Sequence, residues 1–356
     1  MRLGWVARVR PPPDVFAVVM ATGIVAVAAR DHQYWRIEWG LRGLASAVAV
    51  ILAGGFALRV TTQMSRVVRL VRDPDVAMRM FTVVAACAVL TTCWPGHPLV
   101  EGSLLAVGAA VWVVLMLVAG VDVYARNSRQ LRDQAHGVWL LPSVATQGLA
   151  ILAADRAGTR GSVTLVVLAG TGWIIGLALY AVVAALIGWQ ALSAPMRPEQ
   201  VTPDSWILMG GLAIAALSGG HILAAIQPSN APTAAVAWCQ AAIWWTWIGA
   251  SVWIPVLLYA EVWRVDHLAG SLHYAGVWWA AVFPVGMYSA ATGYTATVLH
   301  IPALRTVSLV FFWAAFTLWT LVAVGLVHTA GARALGHLRA GRHATDCVGP
   351  QAAGSG

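Results

Sequence analysis

Ionisable side chains inside long apolar segments are the first candidates for chemistry, because such groups are costly to bury in a membrane and are commonly functional. His221, in the stretch ALSGGHILAAI, is the one histidine well within such a segment. Histidine changes charge near neutral pH, so His221 is a candidate for proton coupling, with a buried, hydrogen-bonded histidine as the competing interpretation. Asp14, which follows three prolines, is a second candidate that also fits a helix-capping role.

Sequence signatures of catalysis or metal binding are missing. The chain contains no H-E-x-x-H, G-x-S-x-G or Walker-type motif. Its four cysteines form no C-x-x-C pair, which disfavours a zinc site or a disulfide framework. A haem-binding membrane enzyme would need histidine pairs in facing helices, and it stays as the disfavoured alternative from another class. We predict no enzyme activity, no cofactor and no metal site; a purely structural membrane protein is a further alternative.

The composition indicates a multi-span membrane protein. Of 356 residues, 60% are hydrophobic and 10% are charged, whereas soluble domains are about one quarter charged. The net charge of +8 comes from arginine alone, since the chain has no lysine. The arginines lie between apolar runs and form no basic stripe interleaved with aromatics, so membrane lipid is an expected partner and nucleic acid is not.

Ten apolar segments are long enough to be membrane spans, which require about 20 residues each. They predict an all-α integral membrane domain of five helical hairpins over residues 1–332. The tail, 333–356, is rich in Gly, Ala and Arg and is expected to be cytoplasmic and disordered. The predicted spans are 14–29, 40–58, 77–95, 104–123, 138–154, 163–190, 206–226, 232–260, 277–299 and 306–330.

The distribution of arginine predicts the orientation. With ten spans and the N-terminus inside, 16 of the 22 basic residues fall on the cytoplasmic side, as the positive-inside rule requires. Both termini are therefore expected in the cytoplasm. The first segment also resembles a secretory signal with a small-residue cleavage site, and its removal would leave nine spans.

Helix-weakening and small hydroxyl residues concentrate in the odd-numbered spans. Irregular backbone at membrane depth is tolerated where it is buried in protein or lines a cavity, although any single small residue can serve close helix packing instead. The joint pattern predicts odd spans around a central path and even spans outside. The candidate lining residues are Thr22, Gly23, Thr91, Pro142, Ser143, Thr146, Ser218, Gly219 and Ser289.

The ninth span carries the stretch WWAAVFPVGMYSAAT at 278–292, with Pro284 and Gly286 two residues apart. Proline inside a helix removes a hydrogen bond and crowds the preceding turn. We therefore expect a kink or hinge at Pro284 and Gly286. Phe283, a bulky side chain, comes directly before that defect.

Two stretches resemble a known family of membrane transporters. PPPDVFAVVMATGIVAV at 11–27 resembles the first helix, and the W-W-x-x-x-F-P pattern at 278–284 the ninth helix, of the tellurite-resistance/C4-dicarboxylate transporter family. That family includes TehA-type channels, plant slow anion channels, malate permeases and sulfite efflux pumps. The span count and the order of hairpins agree over essentially the whole chain.

The resemblance implies a homotrimer in the plasma membrane, each subunit having five hairpins in a quasi-fivefold array around its own pore. By the same resemblance Phe283 is the pore gate. The implied function is transport of small anions, either an inorganic anion or a C4-dicarboxylate such as malate. Proton-coupled dicarboxylate symport, with His221 or Asp14 as the coupling group, and sulfite export are the alternatives.

Overall fold

The computed structural model describes residues 15–71, 73–127, 131, 134–193, 197–226, 232–270 and 274–346. Within them the protein is helical, with ten long helices and no strand. The helices are α1 (Ala17–Asp31), α2 (Trp35–Val71), α3 (Pro74–Cys93), α4 (Pro98–Ala125), α5 (Leu141–Arg160), α6 (Val163–Ser193), α7 (Ile207–Ile226), α8 (Thr233–His267), α9 (Trp279–Val298) and α10 (Ala303–Asp346). Each of the ten predicted spans corresponds to one helix.

Several helices extend beyond the predicted boundaries. The prediction ended the fifth span at 154, before the polar residues Asp155 and Arg156, but α5 continues to Arg160. It stops where Gly161 takes a left-handed φ of 62°, the conformation that glycine permits at helix ends. α10 likewise continues to Asp346, so the helix has no break at the expected start of the tail. Residues 347–356 lie outside the described part.

Odd and even helices differ in length and burial. The odd helices α1 to α9 have 15 or 20 residues, whereas the even helices have 28 to 44. In the described part, eight of the ten helices are long and apolar enough to cross a membrane. The two that fall outside this set are α1 and α9. Within the apolar 18-residue window of each helix, 94% of the window is buried for α5 but 6% for α2. The chain is therefore a multi-span membrane protein whose even helices cover its odd ones.

The contacts between odd helices close a ring. Each of α1, α3, α5 and α7 packs against the next odd helix, and α9 packs against α1. Each even helix packs against its hairpin partner and also touches the following odd helix, with α10 returning to α1. This arrangement is the grouping that the odd-span bias predicted, with the outer helices bridging neighbours in the ring.

The N-terminal ends of the inner helices are tied together. Short 3-10 turns, Gly137–Leu140, Pro203–Trp206 and Gly276–Trp278, precede α5, α7 and α9. The buried carboxylate of Asp204 accepts a hydrogen bond from the Val138 N–H at 3.0 Å. A Cβ on Gly137 would lie 2.1 Å from the Asp204 carbonyl oxygen, so only glycine allows this approach. The turns before α5 and α7 are thereby held in contact.

Candidate anion pore and vestibule

A cavity of about 500 Å³ lies inside the ring of odd helices. It opens at the C-terminal ends of these helices and is completed there by Pro95, Gly96 and Glu101. We call this cavity the vestibule. All five odd helices contribute to its wall, so the ring encloses a space that can hold a small solute.

The residues that line the vestibule include, on each odd helix, one stripe spaced three or four apart. Such spacing places side chains on a single helix face. In every stripe the earlier members are apolar or glycine and the last member, nearest the mouth, is polar. The stripes are Ile24, Val27 and Asp31; Ala85, Ala88 and Thr92; Val144, Gly148, Ile151 and Asp155; Ile214, Leu217 and His221; and Phe283, Met287, Ala290 and Tyr294.

Phe283 occupies the inner end of the α9 stripe. Its side chain is fully buried and lines the vestibule, three helical turns before Tyr294 near the mouth. α9 runs as one helix through Pro284, in contact with Gly210 of α7. Gly286 faces α1, where a Cβ would lie 2.9 Å from the Ile24 Cγ2.

His221 links three inner helices at the mouth. Its Nδ1 lies 2.5 Å from an Asp155 carboxylate oxygen on α5. Its ring stacks on Tyr294 of α9, with centroids 4.4 Å apart and planes 7° from parallel. His221 is thus both exposed to the vestibule and hydrogen-bonded, which combines the two interpretations that the sequence left open. Asp14, the other coupling candidate, lies outside the described residues.

The predicted lining residues divide between the vestibule and helix contacts. Thr91 lines the vestibule and donates to the Cys87 carbonyl at 2.9 Å. The other eight are not among the vestibule residues of the described chain. Their positions are in helix interfaces or, for Pro142, in the first turn of α5.

Two of the predicted threonines accept hydrogen bonds from tryptophans of even helices. Trp319 of α10 donates to Thr22 of α1 at 3.0 Å, and Trp112 of α4 donates to Thr146 of α5 at 2.8 Å. The same link recurs elsewhere, as Trp247 of α8 donates to Thr292 of α9 and Trp173 of α6 to a carbonyl of α7. These hydroxyls join the outer helices to the ring.

The predicted serines and glycines also pack between helices. Ser143 donates to the Gly176 carbonyl of α6 at 2.7 Å, and Ser289 donates to the Ser308 carbonyl of α10 at 2.7 Å. A Cβ on Gly23 would lie 2.6 Å from Val89 of α3, and one on Gly219 would meet Trp173 at 2.8 Å. The buried Ser218 hydroxyl has no hydrogen-bond partner among the described atoms.

The charged residues at the mouth are functional candidates that the sequence reasoning did not select. Arg30, Asp31, Asp155 and Arg156 line the vestibule, although from the sequence the arginines indicated only the orientation in the membrane. The sequence did carry a signal for these residues. Ala-Ala-Arg-Asp at 28–31 and Ala-Ala-Asp-Arg at 153–156 are similar stretches that lie near the C-terminal ends of two odd-numbered helices. In the described ranges no cluster of His, Cys, Asp or Glu is arranged to hold a metal ion.

Below the mouth, the wall of the vestibule carries no ionised side chain among the described residues. An apolar, narrow path without fixed charge lets an ion pass without holding it tightly, and a hydrophobic constriction can gate by excluding water. The geometry is that of a mainly apolar cavity with a polar mouth and with Phe283 in its wall.

Comparison with known proteins agrees with this geometry. The family model described as "voltage-dependent anion channel" matches residues 10–327. Two uncharacterized transporters of Methanocaldococcus jannaschii are 22% and 23% identical, each over 88% of this chain and 91% and 93% of their own lengths. An uncharacterized membrane protein of Mycobacterium tuberculosis is 32% identical over 42% of this chain and 76% of its own length. The chain therefore belongs to the voltage-dependent anion channel family, whose members are membrane channels and transporters of anions.

Proposed function

We propose that this protein conducts small anions through the ring of odd helices and that Phe283 is the gate. The observation that carries the proposal is that the fully buried Phe283 ring is the innermost α9 residue lining the vestibule, to which all five odd helices contribute. Moving or removing that side chain opens the path toward the tied N-terminal ends of the helices. Pro284 and Gly286 hold the ring against α7 and α1.

The proposed cargo is an inorganic anion or a C4-dicarboxylate such as malate. The vestibule has room for such a solute, since its volume of about 500 Å³ exceeds that of a small organic acid. Sulfite export by the same path is an alternative within this class.

Proton-coupled dicarboxylate symport is the second candidate function. The observation that favours it is the contact between His221 and Asp155 in the vestibule, because a histidine and carboxylate pair can take up and release a proton near neutral pH. In coupled symport, uptake of the anion rises with an inward proton gradient. Flux through a channel does not depend on such a gradient.

The proposal extends to assembly and orientation. The outer faces of the even helices expose many large apolar side chains, Trp39, Leu117, Trp238 and Leu321 among them, which suits lipid and neighbouring subunits. A homotrimer with a pore in each subunit uses this surface. The arginine distribution supports both termini in the cytoplasm of a plasma-membrane protein, with the vestibule facing outward.

Reconstitution into liposomes tests the function directly. Chloride, nitrate, sulfite and malate flux is compared with and without a pH gradient. Flux of anions that does not need the gradient supports the channel, gradient-dependent malate uptake supports symport, and wild-type protein that carries none of the four anions contradicts both.

The gate is tested in the same liposomes with Phe283→Ala, which is expected to raise conductance. Phe312→Ala is the matched control, because Phe312 is also fully buried but stacks on Tyr34 at 5.2 Å, away from the vestibule. Both variants lose similar packing, about 3 kcal/mol or more. Equal conductance in the two variants removes Phe283 from the gating role.

A further inference from the structure

Most charged groups at the vestibule mouth have a partner. Arg30 donates to the Thr92 carbonyl at 2.7 Å, and its Nε lies 4.0 Å from the Asp31 carboxylate. Glu101 accepts a hydrogen bond from the Gly96 N–H at 2.8 Å. Asp155 is occupied by His221. These contacts leave the carboxylates of the vestibule engaged with donors.

Arg156 is the exception among the charged residues that line the vestibule. Its side chain is half-buried in the wall and forms no ion pair or side-chain hydrogen bond with any residue that the structure describes. The neighbouring carboxylate of Asp155, which could neutralise it, is held by His221 instead. The five N–H donors of the guanidinium are therefore without a partner among the described residues, in a residue that lines a cavity large enough for an anion.

Tyr294 supplies a second donor to the same cavity. Its ring is fixed, since it stacks on His221, and a Cβ on Gly220 would lie 2.6 Å from its Cδ1. Its hydroxyl makes no hydrogen bond within the described chain, whereas Tyr180 and Tyr288, the buried tyrosines, both bond through theirs. A neutral donor is thus held still in the wall of the vestibule.

We propose that Arg156 is the specificity-determining residue of an oxyanion-binding site in the vestibule, with the Tyr294 hydroxyl as its neutral donor. This inference rests on the proposed anion transport. A planar guanidinium forms two parallel hydrogen bonds with the two oxygens of a carboxylate or other oxyanion, whereas a halide offers one acceptor atom and fits that fork less well. The site selects nitrate, sulfite and carboxylates ahead of chloride before they reach Phe283.

The flux test uses Arg156→Gln, Arg156→Lys and the control Arg160→Gln, in which the exposed residue lies on the same helix outside the vestibule wall. We expect Arg156→Gln to raise the half-saturating concentration of nitrate and malate about tenfold, from the loss of charge-assisted hydrogen bonds, and that of chloride much less. Arg156→Lys keeps the charge, so its half-saturating concentration for chloride is expected to match that of the wild type, while those for nitrate and malate stay raised. Equal behaviour of Arg156→Gln and Arg160→Gln, or equal effects on all anions, overturns the proposal.

A labelling test works without flux and separates this inference from the proposed function. Thr159→Cys places a thiol in the vestibule wall, in a Cys347→Ser background whose native Cys87, Cys93 and Cys239 are buried. Malate is expected to slow labelling of the introduced thiol by N-ethylmaleimide, and adding Arg156→Gln abolishes that protection. If malate protects the thiol but no anion flux is measured, the proposed transport is contradicted and the binding site is supported. If flux is measured but malate does not protect the thiol, the binding site is contradicted.

Discussion

Gly210 of α7 lies against Pro284 of α9, so closely that a Cβ on the glycine would stand 2.9 Å from the proline Cβ and 3.1 Å from its Cα. All three nearest atoms belong to the proline, whose ring and backbone cannot turn aside. Because Phe283 precedes Pro284, this contact fixes the helix that carries the proposed gate.

Gly210→Ala is therefore expected to destabilise the protein by about 1–3 kcal/mol, because α7 and α9 must separate. The measurement is the midpoint of thermal unfolding in detergent, followed by tryptophan fluorescence. Gly120→Ala on the exposed face of α4 is the control, since nothing lies within 4 Å of its new methyl group and the substitution favours the helix by about 0.5 kcal/mol or more. If both variants unfold alike, the contact does not carry this energy.

Gly286→Ala is expected to have a smaller effect that a second substitution relieves. The nearest atom to the new Cβ is the Ile24 Cγ2 at 2.9 Å, the end of a side chain rather than backbone. We expect a cost of about 1 kcal/mol, which Ile24→Ala reduces in the double variant. Additive effects in a double-mutant cycle of unfolding free energies would show that the two residues do not press on each other.

Thr22→Val is expected to reduce stability by about 1 kcal/mol without changing which anion passes, because Thr22 accepts the Trp319 N–H and does not touch the vestibule. Thermal unfolding and liposome flux selectivity are measured on one preparation. Thr320→Val, an exposed neighbour of Trp319 whose hydroxyl bonds to its own helix, serves as the control. A shift in selectivity with Thr22→Val favours the pore-lining role that the sequence predicted.

Ser308→Ala is expected to loosen the contact between α9 and α10. Ser308 donates to the Ser289 carbonyl at 2.7 Å while Ser289 donates to the Ser308 carbonyl at the same distance. Losing one of the paired bonds in a buried interface costs about 1–2 kcal/mol. The exposed Thr306→Val, two residues earlier, should leave the unfolding midpoint unchanged, and a Ser308→Ala variant that matches it argues against the pair.

The sequence predicted the spans and the grouping of odd helices well, because both depend on composition along the chain. Apolar runs set the ten helices, and small residues mark the helices that pack closely on all sides. The gate role of Phe283, which rests on its place before Pro284 and on the resemblance of that motif, stays a prediction. The ends of α5 and α10 were harder, because both helices continue past their apolar segments, α5 through the exposed, polar Asp155.

The composition of the vestibule wall could not be predicted by looking for polar residues. Most of the predicted hydroxyl groups, as in Ser143 and Thr146, bond to carbonyls or tryptophans of neighbouring helices. The side chains left to face the cavity are mainly apolar, as Ile214 and Met287 are. Most buried hydroxyls find a hydrogen-bond partner, and here that partner commonly lies on another helix, which sequence spacing does not reveal.

The division of the bundle into an inner ring and an outer layer places the requirements of the lipid environment and those of the vestibule wall on different helices. The outer helices meet the lipid and are joined to the ring by hydrogen bonds such as those from the Trp112 and Trp319 side chains. Bilayer thickness or a subunit interface can therefore change the long even helices, from α2 to α10, while the conducting wall keeps its residues. A chimaera that takes its even helices from a distant relative and retains these tryptophan and threonine pairs should preserve the ion preference of its odd helices.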